Sequence, residues 1–327
     1  MRDLSRREAL VGGLVATAGA AAVTVTSGTI PATAAAPKVG AQVPGIYRRK
    51  LGDMEVTALL DGYLDVDNSF WHGIEQEDVT AAINDAFLPQ NGKIRVGVTS
   101  YLINTGKQLV LVDSGSADLF GPTAGRFPET LAAAGVAPED IDVILITHMH
   151  PDHIGSLLSS GKAVFPNAEM HICGVDFDYW TADANKAGAP DFAKPWFDAA
   201  IGVRDAYDGR INLFTGSPEL VTGISAEPLV GHTPGHTGYR VSSGSEQLLI
   251  WGDACGVAAV QFSHPDAGLV FDVDSETGRR TRNRLLDMAA NERVLVASAH
   301  LPFPTFGHVA RRGNAYAWVP DEYQYEI

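Results

Sequence analysis

The feature that most constrains this chain is a run of metal-ligand side chains directly after a short apolar segment. Three histidines and one aspartate, His148, His150, Asp152 and His153, lie within six consecutive positions. The preceding residues 141–146 are mostly apolar and are predicted to form a buried strand. The ligands therefore follow the carboxyl end of a strand, where α/β folds commonly place their sites. Imidazoles and a carboxylate, without a thiolate, suit zinc and neighbouring divalent metals.

The same pattern recurs at three later positions. His232 follows the apolar residues 226–230, Asp253 follows residues 250–252, and His300 follows residues 294–299. Four strand ends that together offer seven His or Asp side chains predict a dinuclear metal site. Two divalent ions about 3.5–4 Å apart would hold a bridging water and lower its pKa, so that the hydroxide attacks a carbonyl or phosphoryl centre.

The rest of the chain predicts a strand-rich domain with a few helices. Two hairpins are predicted from residues 47–50 with 55–60 and from residues 98–104 with 108–112. Further strands are predicted at 211–214, 224–229, 239–242, 247–251 and 294–297, and helices near 79–87, 129–134 and 276–291. Because no linker forces a division, residues 37–327 are predicted to form a single domain with a two-sheet core and helices outside it.

Residues 1–36 are predicted to be a twin-arginine signal peptide. Arg6 and Arg7 precede a Gly- and Ala-rich stretch, and small residues offer a cleavage site between Ala34 and Ala36. A membrane anchor is the alternative, but Gly, Ala and Thr are too frequent here for a strong membrane-spanning helix. We therefore expect the twin-arginine machinery to export the protein to the periplasm or the medium. No stable membrane association is expected after cleavage.

Charge and cysteine content narrow the choice of partners. The 327 residues carry a formal net charge of −15 without a run of Lys or Arg, so nucleic acid is disfavoured and a small-molecule substrate is expected. Cys173 and Cys255 provide neither a disulfide framework nor a CxxC metal site. The sequence does not decide whether these two cysteines form a disulfide with each other. The sequence is also compatible with a homodimer.

The chain resembles the metallo-β-lactamase superfamily, because the HxHxDH motif of that superfamily matches residues 148–153. The resemblance implies an α/β (α+β) fold, a four-layer αβ/βα sandwich with two divalent ions at one edge of the sheets. Zn²⁺ is expected, with Co²⁺, Mn²⁺ or Fe²⁺ as alternatives. The resemblance further implies two ligand sets: His148, His150 and His232 for the first ion, and Asp152, His153 and His300 for the second, with Asp253 bridging the two.

The same resemblance assigns the remaining roles near the metals. Asp152 and Asp253 are the residues expected to act in catalysis, with any proton transfer by Asp152 secondary to its role as a ligand. His236 lies next to the ligand His232 in sequence and is expected to support the site without binding metal. His308 is the rival of His300, but only His300 directly follows a predicted strand.

Stretches outside the metal motif resemble the methyl parathion hydrolase family of exported dinuclear phosphotriesterases. The similarity runs from about Gly45 nearly to the C-terminus and includes residues 51–59, 119–123, 147–155, 231–237, 258–262 and 299–304. It implies hydrolysis of phosphotriesters, and also of aryl esters, with Phe120, Trp180 and Phe197 lining the leaving-group pocket. Residues 67–73 depart from that family by carrying bulkier side chains near the expected mouth of the pocket.

A lactonase of the same superfamily is the alternative function, because a synthetic phosphotriester is a poor candidate for an ancestral substrate. Acyl-homoserine lactonases usually carry a tyrosine shortly after the bridging aspartate, and residues 253–256 contain none. A metal-binding protein without catalytic activity is the remote alternative. It would be marked by lost ligands, and all seven are present.

Overall fold

The computed structural model describes residues 38–327, of which Val43–Ile327 form one compact unit. The predicted signal peptide, residues 1–36, lies outside the described residues. The described part contains eighteen strands: β1 (Ile46–Leu51), β2 (Met54–Asp67), β3 (Trp71–His72), β4 (Lys93–Asn104), β5 (Leu109–Val112), β6 (Val143–Ile146), β7 (Leu158–Ser159), β8 (Lys162–Ala163), β9 (Glu169–Cys173), β10 (Ile211–Phe214), β11 (Glu219–Val221), β12 (Ile224–Pro228), β13 (Thr237–Ser243), β14 (Glu246–Ile250), β15 (Gly268–Leu269), β16 (Leu295–Ala297), β17 (Gly307–Arg312) and β18 (Ala315–Pro320).

Eight α-helices lie between the strands in the same described part: α1 (Gln76–Asp85), α2 (Phe127–Ala133), α3 (Pro151–Ile154), α4 (Gly174–Thr181), α5 (Asp183–Gly188), α6 (Lys194–Ala206), α7 (Ala258–Gln261) and α8 (Ser275–Glu292). Among residues 38–327 no helix is both long and apolar enough to cross a membrane.

Two seven-stranded sheets form the framework. The first has the order β1-β2-β4-β5-β6-β9-β10, and the second has the order β11-β12-β13-β14-β16-β17-β18. In the first sheet β5, β6, β9 and β10 run parallel, whereas β1, β2 and β4 form an antiparallel meander. In the second sheet β14 and β16 are parallel, and the other neighbours are antiparallel.

The burial pattern of β6 explains how the layers stack. Val143 and Leu145 point to one face and pack between the two sheets, together with Tyr239, Val241 and Leu248 of the second sheet. Because side chains alternate along a strand, Ile144 and Ile146 point to the opposite face, where they pack against helices. A strand covered on both faces can be apolar at every position, which accounts for the uninterrupted sequence of β6.

Helices cover the outer face of each sheet. Phe127 and Leu131 of α2 and Phe197 and Val203 of α6 belong to the apolar cluster outside the first sheet. Leu285, Leu286 and Ala289 of α8 pack outside the second sheet against its buried Leu249 and Val296. The result is the four-layer αβ/βα sandwich, so the predicted fold class is confirmed.

The strand directions bring the carboxyl ends of several strands to one edge. Strands β12 and β14 each pair antiparallel with β13 and therefore run in the same direction, which β16 shares. In the first sheet the parallel strands β5, β6 and β9 likewise end on a common edge. The Tyr239 hydroxyl ties the sheets together there by donating to the Ile146 carbonyl over 2.6 Å. Residues that immediately follow these strands therefore meet, although they are far apart in sequence.

Candidate metal centre

The structure brings all seven predicted ligand residues together at this edge. They form two groups whose ligand atoms lie within 4.8 Å of one another: His148, His150 and His232 in the first, and Asp152, His153, Asp253 and His300 in the second. His148 and His150 follow β6, and Asp152 and His153 lie on the short helix α3. His232, Asp253 and His300 follow β12, β14 and β16. The division into two groups is the one that the resemblance implied.

The three rings of the first group converge on one point. His150 Nδ1 and His232 Nε2 are 3.0 Å apart, and the ring centres of His148 lie 4.5 Å from His150 and 4.8 Å from His232. All three side chains are buried. Three imidazole nitrogens converging in a buried position match the ligand set of a divalent transition metal.

Asp253 lies between the two groups. Its Oδ2 is 3.0 Å from His300 Nε2, 3.5 Å from His232 Nε2 and 3.9 Å from His148 Nε2. Its Oδ1 is 3.4 Å from His153 Nε2. A single carboxylate therefore faces ligands of both groups, which is the position that a bridging residue requires. Asp152 completes the second group, since its Oδ2 lies 3.3 Å from His300 Nε2.

Partners on the outer nitrogens orient four of these histidines. His153 Nδ1 donates to Asp113 over 2.8 Å, His232 Nδ1 donates to Asp272 over 2.8 Å, and His300 Nδ1 donates to the Gly97 carbonyl over 2.6 Å. His148 Nδ1 lies 3.1 Å from the hydroxyl of Thr147, which itself donates to Asp113 over 2.8 Å. When Nδ1 carries the proton, Nε2 keeps a free lone pair that points into the centre. Metal-binding histidines are held in this way in proteins generally.

Buried atoms without partners indicate where cations fit. Among the described residues, His148 Nε2, His153 Nε2 and Asp253 Oδ1 are fully buried and have no hydrogen-bond partner. Leaving a buried polar atom unsatisfied costs about 1–3 kcal/mol. A divalent ion in each group would satisfy these atoms, so the residues present fit two divalent metals.

The electrostatics of the two groups differ. Burial lowers the pKa values of His148 and His150 well below the ordinary range, so both rings are neutral and able to bind metal. Burial also acts on His300, but Asp253 and Asp152 outweigh it and raise the pKa of His300 to about 10. For Asp152, burial is outweighed by His153 and His300, and the pKa falls to about 2. The Asp152 carboxylate of the second group is therefore ionised at neutral pH.

Asp113 is a supporting residue that sequence reasoning did not identify. Its buried carboxylate accepts from the Thr147 backbone N–H over 2.9 Å as well as from the Thr147 hydroxyl and His153. It follows β5 directly and has a left-handed backbone with φ 58°, which aspartate tolerates better than most residues. The available signal was its position, because it is a carboxylate at the end of an apolar strand next to β6.

Asp176 and His236 form hydrogen bonds to the loops that carry the metal ligands. Asp176 accepts from Met149 N–H over 2.9 Å and from Gly235 N–H over 3.1 Å, and thereby joins the two loops that carry the first group. Burial raises its pKa to about 6. His236 Nε2 accepts from Asp253 N–H over 3.0 Å, and burial lowers the pKa of His236 to about 3. His236 thus supports the Asp253 loop as a neutral ring, in the supporting position that we expected for it.

The remaining histidines lie away from the two groups. His308, the rival of His300, sits on β17 with 40% of its side chain exposed, and its nearest carboxylate is Asp321 at 4.0 Å. His72, His171 and His264 also belong to neither group. Cys173 and Cys255 are both free thiols, so the disulfide that the sequence left open is not formed.

A largely apolar pocket of about 520 Å³ opens onto the metal centre. His150, Asp152, His232, Asp253 and His300 form its floor. An aromatic wall rises beside them, and we use this term for Phe70, Phe120, Phe192, Trp196 and Phe271, all of which line the pocket. Trp196 is at its centre, with ring contacts of 5.5 Å to Phe192, 6.0 Å to Phe271 and 4.9 Å to His150.

The three predicted pocket residues are placed differently from one another. Phe120 lines the pocket. Trp180 and Phe197 do not line it; they are 2% and 1% exposed and pack in the core outside the first sheet. Trp180 packs from the core side against the ring of His150, with 5.0 Å between the two ring centres. The neighbouring Trp196 faces the pocket instead, because adjacent residues of α6 point in directions about 100° apart.

Comparisons with known proteins agree with this geometry. Residues 94–300 match the family model described as the metallo-beta-lactamase superfamily. An N-acyl homoserine lactonase of Bacillus cereus is 23% identical over 241 residues, which cover 67% of this chain and 87% of that protein. The crystal structure of the hydrolase AbOPH has a TM-score of 0.82 at 29% identity and covers 87% of this chain and 100% of its own. AidC, a dizinc quorum-quenching lactonase, has a TM-score of 0.81 at 27% identity and covers 86% of this chain and 99% of its own.

Proposed function

Because the chain belongs to the metallo-β-lactamase superfamily, we propose that it is a metal-dependent lactonase that hydrolyses lactones bearing an apolar arm, with acyl-homoserine lactones as the leading class. The observation that carries the proposal is the opening of the seven-residue metal centre into a mostly apolar pocket. The similarity to AidC over 86% of the chain supports a lactone and two zinc ions rather than the phosphotriester that the sequence favoured.

The pocket suits a substrate with one polar end and one apolar arm. The metal-centre residues supply a polar floor, and most of the remaining lining is aromatic or aliphatic, with Asp65, Thr123, Gln261 and Asp272 as the polar exceptions. Its volume of about 520 Å³ falls within the range of small-molecule sites, about 300–1,000 Å³. Burying an acyl arm against these walls would stabilise the complex by about 0.8 kcal/mol for each methylene group.

The residues of the chain have separable roles in such a reaction. Two divalent ions, when bound, supply a Lewis acid for the ester carbonyl and an activated water. The aromatic wall orients the substrate and keeps bulk water away from the floor. Asp152 lines the pocket and lies beside His300, so its carboxylate is placed to take up the proton that the attacking water loses and to pass it to the ring oxygen as the carbonyl–oxygen bond breaks. Water adds to the lactone and the product is the hydroxy acid.

Residues 254–256 lack the tyrosine that acyl-homoserine lactonases usually carry after the bridging aspartate, and position 256 has no room for one. Gly256 lines the pocket, and a Cβ added to it would lie 2.9 Å from His300 Cβ. A larger residue would therefore displace His300. We propose that this chain performs the reaction without such a phenol, so that any proton for the leaving group comes from Asp152 or from water.

Phosphotriester hydrolysis of the methyl parathion hydrolase type is the second candidate. The aromatic wall favours it, because an aryl leaving group would stack against Trp196 and Phe120 as readily as an acyl arm packs there. The same metal centre serves both reactions, since each begins with attack of water on an electrophilic centre.

A substrate panel tests the proposal. The protein with two zinc ions is assayed with an acyl-homoserine lactone, a δ-lactone, an aryl phosphotriester, a glutathione thioester and a β-lactam. We expect the highest kcat/KM for one of the two lactones. A higher kcat/KM for the phosphotriester would replace the proposal with the second candidate. Two bound metals without cleavage of any of the first three substrates would refute both.

Truncation of the aromatic wall tests the binding of the apolar arm. Phe192 lines the pocket and is 54% exposed at its rim, away from the metal ligands. We expect Phe192→Ala to lower kcat/KM by about tenfold for a long acyl arm and by less than about twofold for a short one, because only the long arm reaches the rim. Phe87→Ala is the matched control, since Phe87 is 97% exposed and does not line the pocket. Equal losses for both chain lengths would contradict this placement.

Export by the twin-arginine machinery is a further proposal, supported by the paired Arg6 and Arg7 and the small residues before Pro37. That route exports folded proteins, which suits a hydrolase loaded with metal before it leaves the cytoplasm. Cells that express either the full chain or an Arg6→Lys, Arg7→Lys variant are fractionated to test the proposal. We expect the protein outside the cytoplasm in the first case and inside it in the second, and equal export of both would contradict the proposal.

A further inference from the structure

One face of helix α8 lies under two of the metal-ligand loops. Gly278, Thr281 and Arg282 have the spacing i, i+3, i+4 and therefore share that face. Gly278 contacts the loop of His232 so closely that a Cβ on Gly231 would lie 2.1 Å from Gly278 N. The Thr281 hydroxyl donates to the Val230 carbonyl over 2.7 Å. This face of α8 therefore determines the position of the His232 loop.

Arg282 extends from the same face to the loop of Asp253. It is 1% exposed, and its Nε donates to the carbonyl of Ala254, the residue after Asp253, over 3.1 Å. Its Nη1 donates to the Pro265 carbonyl over 3.4 Å, and its Nη2 lies 3.4 Å from Asp272 Oδ2. One buried guanidinium thus uses three of its nitrogens to contact three different segments.

Asp272 connects this guanidinium to the first ligand group. Its side chain is 3% exposed, and its Oδ1 accepts from His232 Nδ1 over 2.8 Å while Oδ2 faces Arg282. The backbone is aligned as well, because Val273 N–H donates to the His232 carbonyl over 2.9 Å. A buried carboxylate is costly without charged or hydrogen-bonding partners, and Arg282 supplies a positive charge beside Asp272 in addition to the hydrogen bond from His232.

We propose that Arg282 is a positioning residue for the dinuclear centre. It acts through Asp272 on the orientation of His232 and through the Ala254 carbonyl on the loop of the bridging Asp253. A single side chain thereby sets the separation of two ligands that belong to different groups. The inference rests on the metal centre of the proposed function but does not depend on which substrate is cleaved.

Cobalt binding without substrate tests the inference. Metal-free protein is titrated with Co²⁺, and affinity and the visible absorption spectrum are recorded for wild type, Arg282→Met, Asp272→Asn and the double variant. We expect each single variant to weaken Co²⁺ binding by about 10–100-fold and to alter the spectrum, because supporting partners of metal ligands have effects of this size. The double variant should be little weaker than either single variant, since both changes break one connection.

Arg280→Met is the matched control, because Arg280 is exposed on the same helix and, within residues 38–327, its side chain bonds to Glu276 and Thr277 of that helix alone. It should bind Co²⁺ like wild type. Wild-type affinity and spectrum in Arg282→Met, even with a lowered Tm, would reduce Arg282 to a structural role and overturn the inference. If Arg282→Met does not fold, Asp272→Asn decides, and wild-type Co²⁺ binding in that variant overturns the inference equally. A protein that binds Co²⁺ as expected but cleaves no lactone contradicts the proposed function alone.

Discussion

Replacement of Asp253 by alanine is expected to abolish turnover and to release the metal of the second group. Asp253 is the only one of the seven ligand residues whose carboxylate lies within 3.9 Å of histidines from both groups. Its removal leaves His153 and His300 with Asp152 as their only remaining carboxylate in the group. We expect kcat/KM to fall by at least about 10³-fold, equal to about 4 kcal/mol of transition-state stabilisation.

Metal analysis and kinetics on the same samples check this result. Inductively coupled plasma mass spectrometry after dialysis should give about one metal ion for each Asp253→Ala chain and two for wild type. Asp178→Ala is the control, because Asp178 is an exposed acidic residue on α4 outside both groups. Two retained metals together with retained activity would remove Asp253 from the site.

The second large effect is expected at Asp113, which sequence reasoning did not identify as part of the site. Asparagine keeps the size of the side chain and tolerates the left-handed backbone at φ 58°, so Asp113→Asn isolates the loss of charge. The amide group can satisfy only some of the three donors that Asp113 accepts from Thr147 and His153. We expect the free energy of unfolding to fall by about 3 kcal/mol. Metal affinity should fall by about 10–100-fold.

Denaturant unfolding of the metal-free protein and metal titration separate the two effects. Asp208→Ala serves as the control, because Asp208 is exposed and lies far along the chain from the ligand loops. Its unfolding free energy should match that of wild type within about 0.5 kcal/mol. A stable Asp113→Asn variant with unchanged metal affinity would show that His153 is oriented without help from Asp113.

Local sequence patterns were sufficient to predict the strands that precede the metal ligands, because the apolar residues of each strand are contiguous in the sequence. The apolar run before His148 predicted β6, and the repetition of that pattern before His232, Asp253 and His300 predicted β12, β14 and β16. Each ligand follows its strand by two to four positions, except that Asp152 and His153 lie on the next short helix. Because parallel strands end at a common edge, this order alone made convergence of the seven residues a reasonable expectation.

The supporting carboxylates show where such patterns fail. Asp113 is 40 positions from His153, and Asp272 is 40 positions from His232. Asp176 joins residues 149 and 235, which are 86 positions apart, by accepting from both of their N–H groups. In the sequence each is one aspartate among many, and only burial beside a histidine or an N–H group distinguishes it. That information depends on packing between distant segments.

The substrate pocket shows the same limit. Residues 174–206 are rich in aromatic side chains and form α4, α5 and α6. The rotation of α6 decides that Trp196 faces the pocket while Phe197 enters the core. Phe70 and Phe271 join the wall because β3 pairs with β15, which brings together segments almost 200 positions apart. The choice between lactone and phosphotriester depends on this wall, which the sequence could not place.

By itself, the sequence determined which His and Asp residues can bind metal and which strands precede them, because both depend on local periodicity and on the order of strands along the chain. Its resemblance to the metallo-β-lactamase superfamily implied the fold class and the division of the ligands into two groups. The tertiary structure decided which carboxylates orient the histidines, which aromatic side chains face the substrate and how α8 connects the ligand loops. These features depend on side-chain direction and on contacts across the sandwich. A helix rotated by one residue, or a loop moved by a few ångströms, would leave the same sequence pattern with a different pocket.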